Sequence, residues 1–292
     1  MAASDGLSAA GLTALGVAWA RAVESHRPDR LFDDPLAAKL AQRARRELAQ
    51  TLRGGAHGVT HSGPVDEETA RAFLHYAAVR TRYFDDCLLE ACAAGCRQVV
   101  ILAAGMDARA FRLLWPTGTQ LYELDRSDVL ALKEDVIASE GLRARCQRHT
   151  VTADVTAGWA GALLAAGFAA GQQTAWLAEG LLAYLSPEDN DALIRTAGRL
   201  SGLGSTLALE VTRASALSHG PLSDLADRMA GFGAPWRSGV DDPAGWLAEL
   251  GWQARVDNPF DVAGRYGRQL TCWPSPDQAD EPIAWLVSAT RA

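Results

Sequence analysis

The sequence predicts an α/β fold in which one doubly wound, mostly parallel sheet follows a helical N-terminal extension. Two observations carry this prediction. From Gln98 onward, short apolar runs alternate with segments of helical spacing, which is typical of parallel strands buried on both faces and joined by helices. Before about residue 95, Ala, Leu and Arg recur at helical spacing instead.

Length and composition fit this architecture. The chain has 292 residues, of which 48% are hydrophobic and 22% are charged. At about 150 residues per domain, this allows one large or two small domains, and the core needs no disulfide or metal to fold. We expect a helical extension over 1–95, packed on the core as a lid. The core is expected over 96–292, with a substrate-facing insertion at about 213–243.

The extension is predicted to contain two interruptions. The first, from His26 to Pro35, is rich in turn residues and charges, and the second, from Gly54 to Pro64, is a mobile loop. Beyond them, Asp66 to Ala94 has the pattern of one long amphipathic helix or two short ones. We expect the part from Arg21 to Pro35 to close over a ligand, with capping of helices as the alternative role for its charges.

Seven strands are predicted after the extension. In chain order they lie at Gln98–Ala104, Thr119–Asp125, Arg148–Thr152, Ala175–Ala178, Leu207–Val211, Trp252–Val256 and Ile283–Val287. Helices are predicted at Asp107–Trp115, at Val129–Ser139, after Ser186 as an N-cap, and at Ala244–Leu250. This alternation predicts a Rossmann-like sheet, whose ligands bind beyond the carboxyl ends of the strands.

Charge and cysteine content exclude several classes of protein. The formal net charge is −7, which argues against binding to a phosphate backbone. No apolar run reaches the roughly 18 residues of a membrane span, and the N-terminus lacks the basic start of a secretion signal. The five cysteines include no CxxC pair, so free thiols are expected and no metal site. We expect a cytoplasmic protein that acts on a small molecule and binds neither nucleic acid nor membrane.

Acidic residues and one glycine mark the predicted strand ends. Gly105 follows the first strand, and Asp125 ends the second one 20 positions later, which is the spacing at which an acid reaches the ribose hydroxyls of a nucleotide. Glu123 shares its strand face and is the alternate ribose ligand. Asp154 is expected to lie beside an adenine amino group, and Glu179 ends the fourth strand.

The turn after the first strand favours a cofactor without phosphates. Gly105 is the only glycine in it, so the pattern is not G-x-G-x-x-G, and Asp107 at the start of the next helix would repel a pyrophosphate. S-adenosyl-L-methionine, which has an adenosine, a sulfonium and an amino acid tail, suits such a turn better than a dinucleotide. The pattern favours a methyltransferase and leaves an NAD-dependent dehydrogenase open.

Ordered motifs along nearly the whole chain carry a family resemblance. They are Leu15–Ser25, Arg27–Pro35, Arg80–Asp86, Ala103–Asp107, Tyr122–Asp125 and Glu179–Leu185. With these motifs the sequence closely resembles the leucine carboxyl methyltransferase-like family, in its actinobacterial branch of S-adenosyl-L-methionine-dependent methyltransferases. The resemblance implies a class I methyltransferase fold of Rossmann type and S-adenosyl-L-methionine as cofactor.

The resemblance also implies roles for individual residues. It assigns the cofactor's carboxylate to Arg80, whose guanidinium suits that task as a bidentate fork. It places the glycine turn at Ala103 to Gly105 and the ribose acid at Asp125. The adenine side falls to Asp154 with Val155, and the acid after the fourth strand is Glu179. One departure is Ala103, where eukaryotic members carry Gly, and a methyl group at this position bears on the affinity for the cofactor and not on its identity.

The expected acceptor is a carboxylate of a small molecule, such as a secondary metabolite or its precursor. Methyl transfer depends mainly on alignment, and a carboxylate of pKa about 4 is ionised at neutral pH, so it needs no base. A hydroxyl acceptor and a cofactor-binding relative without transfer activity are the alternatives. His219 and Tyr184 are weak candidates for a catalytic role, and Arg213 and Trp236 are candidates for substrate contact.

Overall fold

The structure, a computed structural model, describes residues 9–43, 67–218, 221–231, 233–270 and 282–291. The loop predicted from Gly54 to Pro64 lies outside these ranges, as does His219. None of the described helices combines the length and the apolar character needed to cross a membrane.

Three helices form the described part of the N-terminal extension. They are α1 (Ala9–Ser25), α2 (35–43) and α3 (Glu67–Ala93). The segment that was predicted as one long helix or two short ones is therefore a single helix of 27 residues. One side of α3 is buried, and its buried residues include charged ones, Arg80 and Asp85. Such side chains are rarely buried without partners, so α3 contributes polar groups to the interior as well as apolar ones.

The remainder of the described chain alternates strands and helices. The strands are β1 (Gln98–Leu102), β2 (Gln120–Asp125), β3 (Gln147–Thr152), β4 (Thr174–Ala178), β5 (Thr206–Thr212), β6 (Trp252–Asp257) and β7 (Ala284–Arg291). The helices are α4 (Arg109–Arg112), α5 (Ser127–Ser139), α6 (Trp159–Ala165), α7 (Pro187–Leu200), α8 (Ala214–Ser218), α9 (Pro221–Gly231), α10 (Pro243–Glu249) and α11 (Pro259–Arg265). A short 3-10 helix, Leu182–Tyr184, follows β4.

The seven strands form one sheet in the order β3-β2-β1-β4-β5-β7-β6. Strands β1 to β5 run parallel, while β7 is antiparallel to both β5 and β6. The order reverses direction between β1 and β4, which lie side by side at the switch point of the sheet. The predicted fold class, a doubly wound and mostly parallel sheet, is confirmed.

Two apolar clusters cover the two faces of the sheet. Val99 and Ile101 of β1 belong to the cluster that includes α1, α3, α5 and α11, while Val100 and Leu102 belong to the cluster with α6, α7 and α10. This alternation is expected of a strand buried on both faces. Because helices cover both faces, ligands reach the sheet only at the ends of its strands.

The helix after β1 is shorter than predicted. The sequence pattern indicated Asp107–Trp115, but α4 spans only Arg109–Arg112, because Leu113 is extended with ψ 151°. Pro116 also disfavours a helical conformation at Trp115, the residue before it. The helix also begins at Arg109, two residues later than predicted, which leaves Asp107 in the turn between β1 and α4.

Candidate functional site

The carboxyl ends of the parallel strands meet at one edge of the sheet. Five acidic side chains lie on or just after those ends: Asp107 after β1, Asp125 on β2, Asp154 after β3, Glu179 after β4 and Glu210 on β5. Two arginines, Arg80 of α3 and Arg109 of α4, pair with three of these acids. The edge is therefore a place where positive and negative groups of a ligand both find partners.

The turn after β1 has an unusual backbone conformation. Ala103 has φ 50°, and it is the only non-glycine residue with positive φ in the described ranges. Gly105 also has φ 50°, and a Cβ placed on it would lie 3.1 Å from the Cβ of Ala14 on α1. Glycine is thus favoured at 105, because a side chain there would be strained by the positive φ and would crowd Ala14 of helix α1. At 103 the alanine adopts a conformation that costs an L-residue about 1–2 kcal/mol.

Asp125 is anchored by backbone groups on both of its oxygens. Gly105 N donates to Oδ2 at 2.6 Å, and Arg126 N donates to Oδ1 at 2.7 Å. Burial raises the pKa of this carboxyl group, although the two backbone hydrogen bonds oppose the shift. Each carboxylate oxygen accepts more than one hydrogen bond. The carboxylate is therefore held in place with acceptor capacity left for a pair of hydroxyl groups.

Arg80 is buried between two glutamates. Its Nε donates to Glu179 Oε1 at 3.0 Å, and its Nη1 donates to Glu210 Oε2 at 2.8 Å. Burial alone would lower the pKa of Arg80, but the carboxylates of Glu210 and Glu179 raise it well above its ordinary value. Nη2 has no hydrogen-bond partner among the described residues. This nitrogen is the part of the fork that is left for a ligand.

Glu179 links Arg80 to a second buried arginine. Its Oε2 lies 2.8 Å from Arg109 Nη1, and Arg109 also binds Asp107 and, through Nε at 2.7 Å, Asp85 Oδ1. Burial raises the pKa of Glu179, but Arg109 and Arg80 outweigh this effect and lower it. Glu179 is thus ionised and is already shared by two guanidinium groups.

The same network continues into the N-terminal extension. Arg112 donates to both oxygens of Asp85 on α3, at 2.5 and 2.7 Å. Arg21 of α1 binds Asp34 at 3.1 Å and the carbonyl oxygen of Met106 in the turn after β1. The segment from Arg21 to Pro35, expected as a lid, is therefore tied to the turn by buried charges.

Tyr76 and Glu210 form a contact at the site that the sequence did not predict. The hydroxyl of Tyr76 donates to Glu210 Oε1 at 2.5 Å, and the Tyr76 ring lies 5.7 Å from the Arg80 guanidinium carbon. Burial raises the pKa of this hydroxyl well above its ordinary value. Glu210 could have been found from the sequence in the same way as Asp125 and Glu179, because it too is an acidic residue near the end of a predicted strand.

Glu123, predicted as the alternate ribose ligand, is engaged inside the protein. Its side chain is 0% exposed, and Oε2 accepts from Lys133 at 2.6 Å and from Arg148 at 2.7 Å. Strand alternation places Glu123 on the same face of β2 as Asp125, but two residues farther from the carboxyl end of the strand. It is not among the residues that we place in contact with a ligand.

Asp154 and Val155 lie after β3, next to the end of β2. Asp154 is exposed, and its Oδ1 accepts from the hydroxyl and the backbone N–H of Thr156, which lower its pKa. Val155 is half-buried and packs against the apolar cluster of β1 and β2. Both are accessible to a flat group that would lie beside Asp125.

The candidates on the substrate side lie after β4 and β5. Tyr184 is half-buried in the 3-10 helix, and its hydroxyl has no hydrogen-bond partner within the described part of the chain. Trp236 is half-buried, and the backbone N–H of the next residue, Arg237, donates to Ala183 O at 2.6 Å. Arg213 instead stacks on Trp285, with 6.0 Å from its guanidinium carbon to the ring centre.

The donors and acceptors at this edge fit a nucleoside that carries an amino acid tail. Asp125 suits a ribose diol, Arg80 Nη2 suits a carboxylate, and Glu179 with Glu210 suits a positively charged group. A pyrophosphate fits poorly, because Asp107, Asp125 and Glu179 would repel it. No group of three or more metal-ligating side chains occurs in the described ranges.

Comparisons with known proteins agree with this chemistry. A model of the leucine carboxyl methyltransferase family matches residues 14–198. A protein of Parafrankia sp. is 44% identical over 98% of this chain and 89% of its own length, and one of Saccharopolyspora erythraea is 42% identical over 91% of each chain. Both are named as S-adenosyl-L-methionine-dependent methyltransferases.

Solved structures show the same fold at low sequence identity. A DUF574 family protein from Streptomyces avermitilis has a TM-score of 0.55 at 16% identity, covering 76% of this chain and 86% of that one. A methyltransferase structure from Thermobifida fusca has a TM-score of 0.52 at 17% identity, covering 85% and 89%.

Proposed function

Because this chain belongs to the leucine carboxyl methyltransferase family, we propose that it methylates a carboxylate oxygen of a small molecule. It is an S-adenosyl-L-methionine-dependent methyltransferase. The acceptor class is the part that is proposed, with natural-product acids as the expected acceptors.

Five residues are proposed to seat the cofactor. Asp125 accepts the ribose hydroxyls, Asp154 and Val155 lie against the adenine, and Arg80 donates from Nη2 to the tail carboxylate. Glu179 offers its negative charge to the amino group of the tail, while the turn at Ala103 to Gly105 brings the backbone close. When bound, S-adenosyl-L-methionine would supply a methyl group on a positively charged sulfur. The acceptor oxygen would form a bond to that carbon as the carbon–sulfur bond breaks, with its electron pair left on sulfur.

One observation supports a carboxylate acceptor over a hydroxyl. All five acids at the strand ends are already engaged: Asp107, Glu179 and Glu210 by arginines, Asp125 by backbone N–H groups and Asp154 by Thr156. An acid that holds an arginine in an ion pair is a weak base, since protonation would break the pair. A phenol of pKa about 10 would need such a base, whereas a carboxylate is ionised at neutral pH.

The chain's own contribution is alignment. Arg80 and Asp125 hold the two ends of the cofactor, and the accessible hydroxyl of Tyr184 is proposed to orient the acceptor. Holding reacting groups in line lowers the barrier by up to several kcal/mol without any proton transfer.

Transfer of a labelled methyl group tests the acceptor class. The purified protein is incubated with methyl-tritiated cofactor and matched panels of carboxylic acids and phenols, from pH 6 to pH 9. We expect base-labile methyl esters, formed at a rate that changes little over this range. Phenol ethers formed at a rate that rises with pH would instead identify a hydroxyl acceptor. Cofactor binding without transfer to either panel would favour a binding protein.

A further inference from the structure

Tyr76, Arg80 and Glu210 form a closed set of contacts. Tyr76 lies one turn before Arg80 on α3, with its ring 5.7 Å from the guanidinium carbon. Its hydroxyl binds Glu210 Oε1 at 2.5 Å, while Glu210 Oε2 accepts from Arg80 Nη1 at 2.8 Å. Tyr76 therefore contacts both members of the Arg80–Glu210 ion pair, and each of the three side chains restrains the other two.

A guanidinium group is planar and rigid, so two fixed nitrogens determine where the third one points. Glu179 holds Nε and Glu210 holds Nη1. Nη2 is the remaining nitrogen, and it lies next to Gly180, where an added Cβ would be 3.9 Å away. The direction of the free donor is therefore set by the two glutamates, and the direction of Glu210 is set by Tyr76.

We propose that Tyr76 and Glu210 are positioning residues, which orient Arg80 so that Nη2 meets the carboxylate of the cofactor's amino acid tail. This inference rests on the proposed role of Arg80. It makes Tyr76 a determinant of tail recognition although its hydroxyl binds Glu210 and not the cofactor. Burial raises the pKa of the Tyr76 hydroxyl well above its ordinary value, so the hydroxyl is protonated and can donate at neutral pH.

A second role for Glu210 predicts the opposite behaviour. The carboxylate of Glu210 already accepts a hydrogen bond from Arg80 Nη1. In this second role, Glu210 competes with the cofactor's carboxylate for Arg80. If Glu210 competes, removing its charge strengthens cofactor binding. If it positions Arg80, removing its charge releases the guanidinium from its fixed direction and weakens binding.

Two ligands isolate the tail in a binding experiment. S-adenosylhomocysteine carries the amino acid tail, while 5′-methylthioadenosine has the same adenosine and sulfur without it. Binding of both to the full chain is measured by calorimetry. For Tyr76→Phe, which keeps the ring on Arg80 and removes only the hydroxyl, we expect about a tenfold loss of affinity for S-adenosylhomocysteine. The affinity for 5′-methylthioadenosine should change by less than about twofold.

A matched control lies on the same helix. Tyr83 of α3 is buried, and its hydroxyl donates at 2.9 Å to Oδ2 of Asp257, the last residue of β6. Tyr83→Phe removes a comparable bond, so it should lower the melting temperature without changing the ratio of the two affinities. Equal losses for both ligands in Tyr76→Phe would mean that the residue only stabilises the fold.

Glu210→Gln decides between positioning and competition. The amide keeps the size of the side chain and an acceptor for Arg80, but it loses the charge. We expect weaker binding of S-adenosylhomocysteine and unchanged binding of 5′-methylthioadenosine. Tighter binding of S-adenosylhomocysteine would overturn the positioning role. Neither measurement uses an acceptor, so a failure to methylate carboxylates would contradict the proposed function and leave this result intact.

Discussion

The backbone N–H of Gly105 donates to Asp125 Oδ2 at 2.6 Å, across 20 positions of sequence. This bond joins the turn after β1 to the end of β2, so the two strand ends proposed to hold the nucleoside are fixed relative to each other. Asp125 therefore combines this structural bond with its proposed role in binding the ribose.

Asp125→Asn should weaken cofactor binding. The amide nitrogen has no lone pair to accept from Gly105 or Arg126, so one backbone donor loses its partner and the ribose loses an acceptor. We expect the affinity for S-adenosylhomocysteine to fall by about 10- to 100-fold in calorimetry. Asp135→Asn, an exposed position on α5, is the control and should bind normally.

Arg80→Lys should impair recognition of the tail while the protein still folds. Lysine keeps the charge between Glu179 and Glu210 but has no planar fork. We expect at least a tenfold loss of affinity for S-adenosylhomocysteine, with binding of 5′-methylthioadenosine retained. Unchanged affinity for S-adenosylhomocysteine would remove Arg80 from the site. Arg80→Met should destabilise the fold by about 3–5 kcal/mol, because Glu210 loses its cation and Glu179 keeps only Arg109.

Ala103→Gly should stabilise the protein slightly. Glycine removes the strain of the positive φ in the folded state, which stabilises the protein by about 1–2 kcal/mol. It also increases the conformational entropy of the unfolded chain, which destabilises the protein by about 0.4–1 kcal/mol. We expect a net gain of up to about 1.6 kcal/mol in urea unfolding, and cofactor binding at least as tight. Ala104→Gly next to it has no positive φ to relieve and should destabilise, which makes it the matched control.

Tyr184→Phe should affect the acceptor and spare the cofactor. Its hydroxyl has no hydrogen-bond partner within the described ranges, so removing it costs the fold little. We expect a higher KM for the acceptor or a lower kcat, with the affinity for S-adenosylhomocysteine and the melting temperature unchanged. Normal turnover of a carboxylate acceptor by the variant would exclude this residue from acceptor binding.

The buried Asp107 should make stability depend on acid pH. Burial raises its pKa, but Arg109 dominates and lowers it from the ordinary 3.8 to about 2. A carboxyl group whose pKa is lower in the folded state than in the unfolded state stabilises the protein at pH values above its unfolded-state pKa. The protein loses this stabilisation as the pH falls from about 4 to about 2. The shift corresponds to about 2 kcal/mol, of which about half is lost by pH 3.

Urea unfolding at pH 6 and pH 3 measures this dependence. The wild-type protein should lose more stability between these two pH values than Asp107→Asn, which cannot titrate at this position. Equal losses for the two proteins would show that other groups, such as Glu179, carry the acid sensitivity.

Short-range rules predicted the strands of the fold, and they also led to the proposal for Asp125, which stays a prediction. The spacing of 20 positions from Gly105 singled out Asp125, and the apolar runs predicted where the strands lie. Arg80 was reached through the family motif, because spacing alone describes it only as an arginine on a helix. Strand alternation predicts on which face of β2 Glu123 lies. It does not predict that the side chain is buried there in an ion pair with Lys133.

Long-range pairs were beyond sequence reasoning. Tyr76 and Glu210 are 134 positions apart, and no local pattern shows that a tyrosine on α3 meets an acid on β5. Arg109 was likewise predicted only as part of a helix, since its partners Asp85 and Glu179 come from two other elements. Charge pairing in the interior depends on how elements pack, which a single sequence leaves open.

The ion pairs that join α3 to α4 have a consequence for recombination between relatives. A crossover at residue 95 would separate Asp85 from Arg109 and Arg112, and Arg80 from Glu179 and Glu210. In such a chimaera, the two members of each buried ion pair come from different parent proteins. If the parents differ at one of these positions, a buried charge is left without its counter-ion. Exchange of acceptor preference is better attempted by transplanting the segment 213–243 after β5, which is proposed to face the acceptor, since none of the buried ion pairs named above involves its described residues.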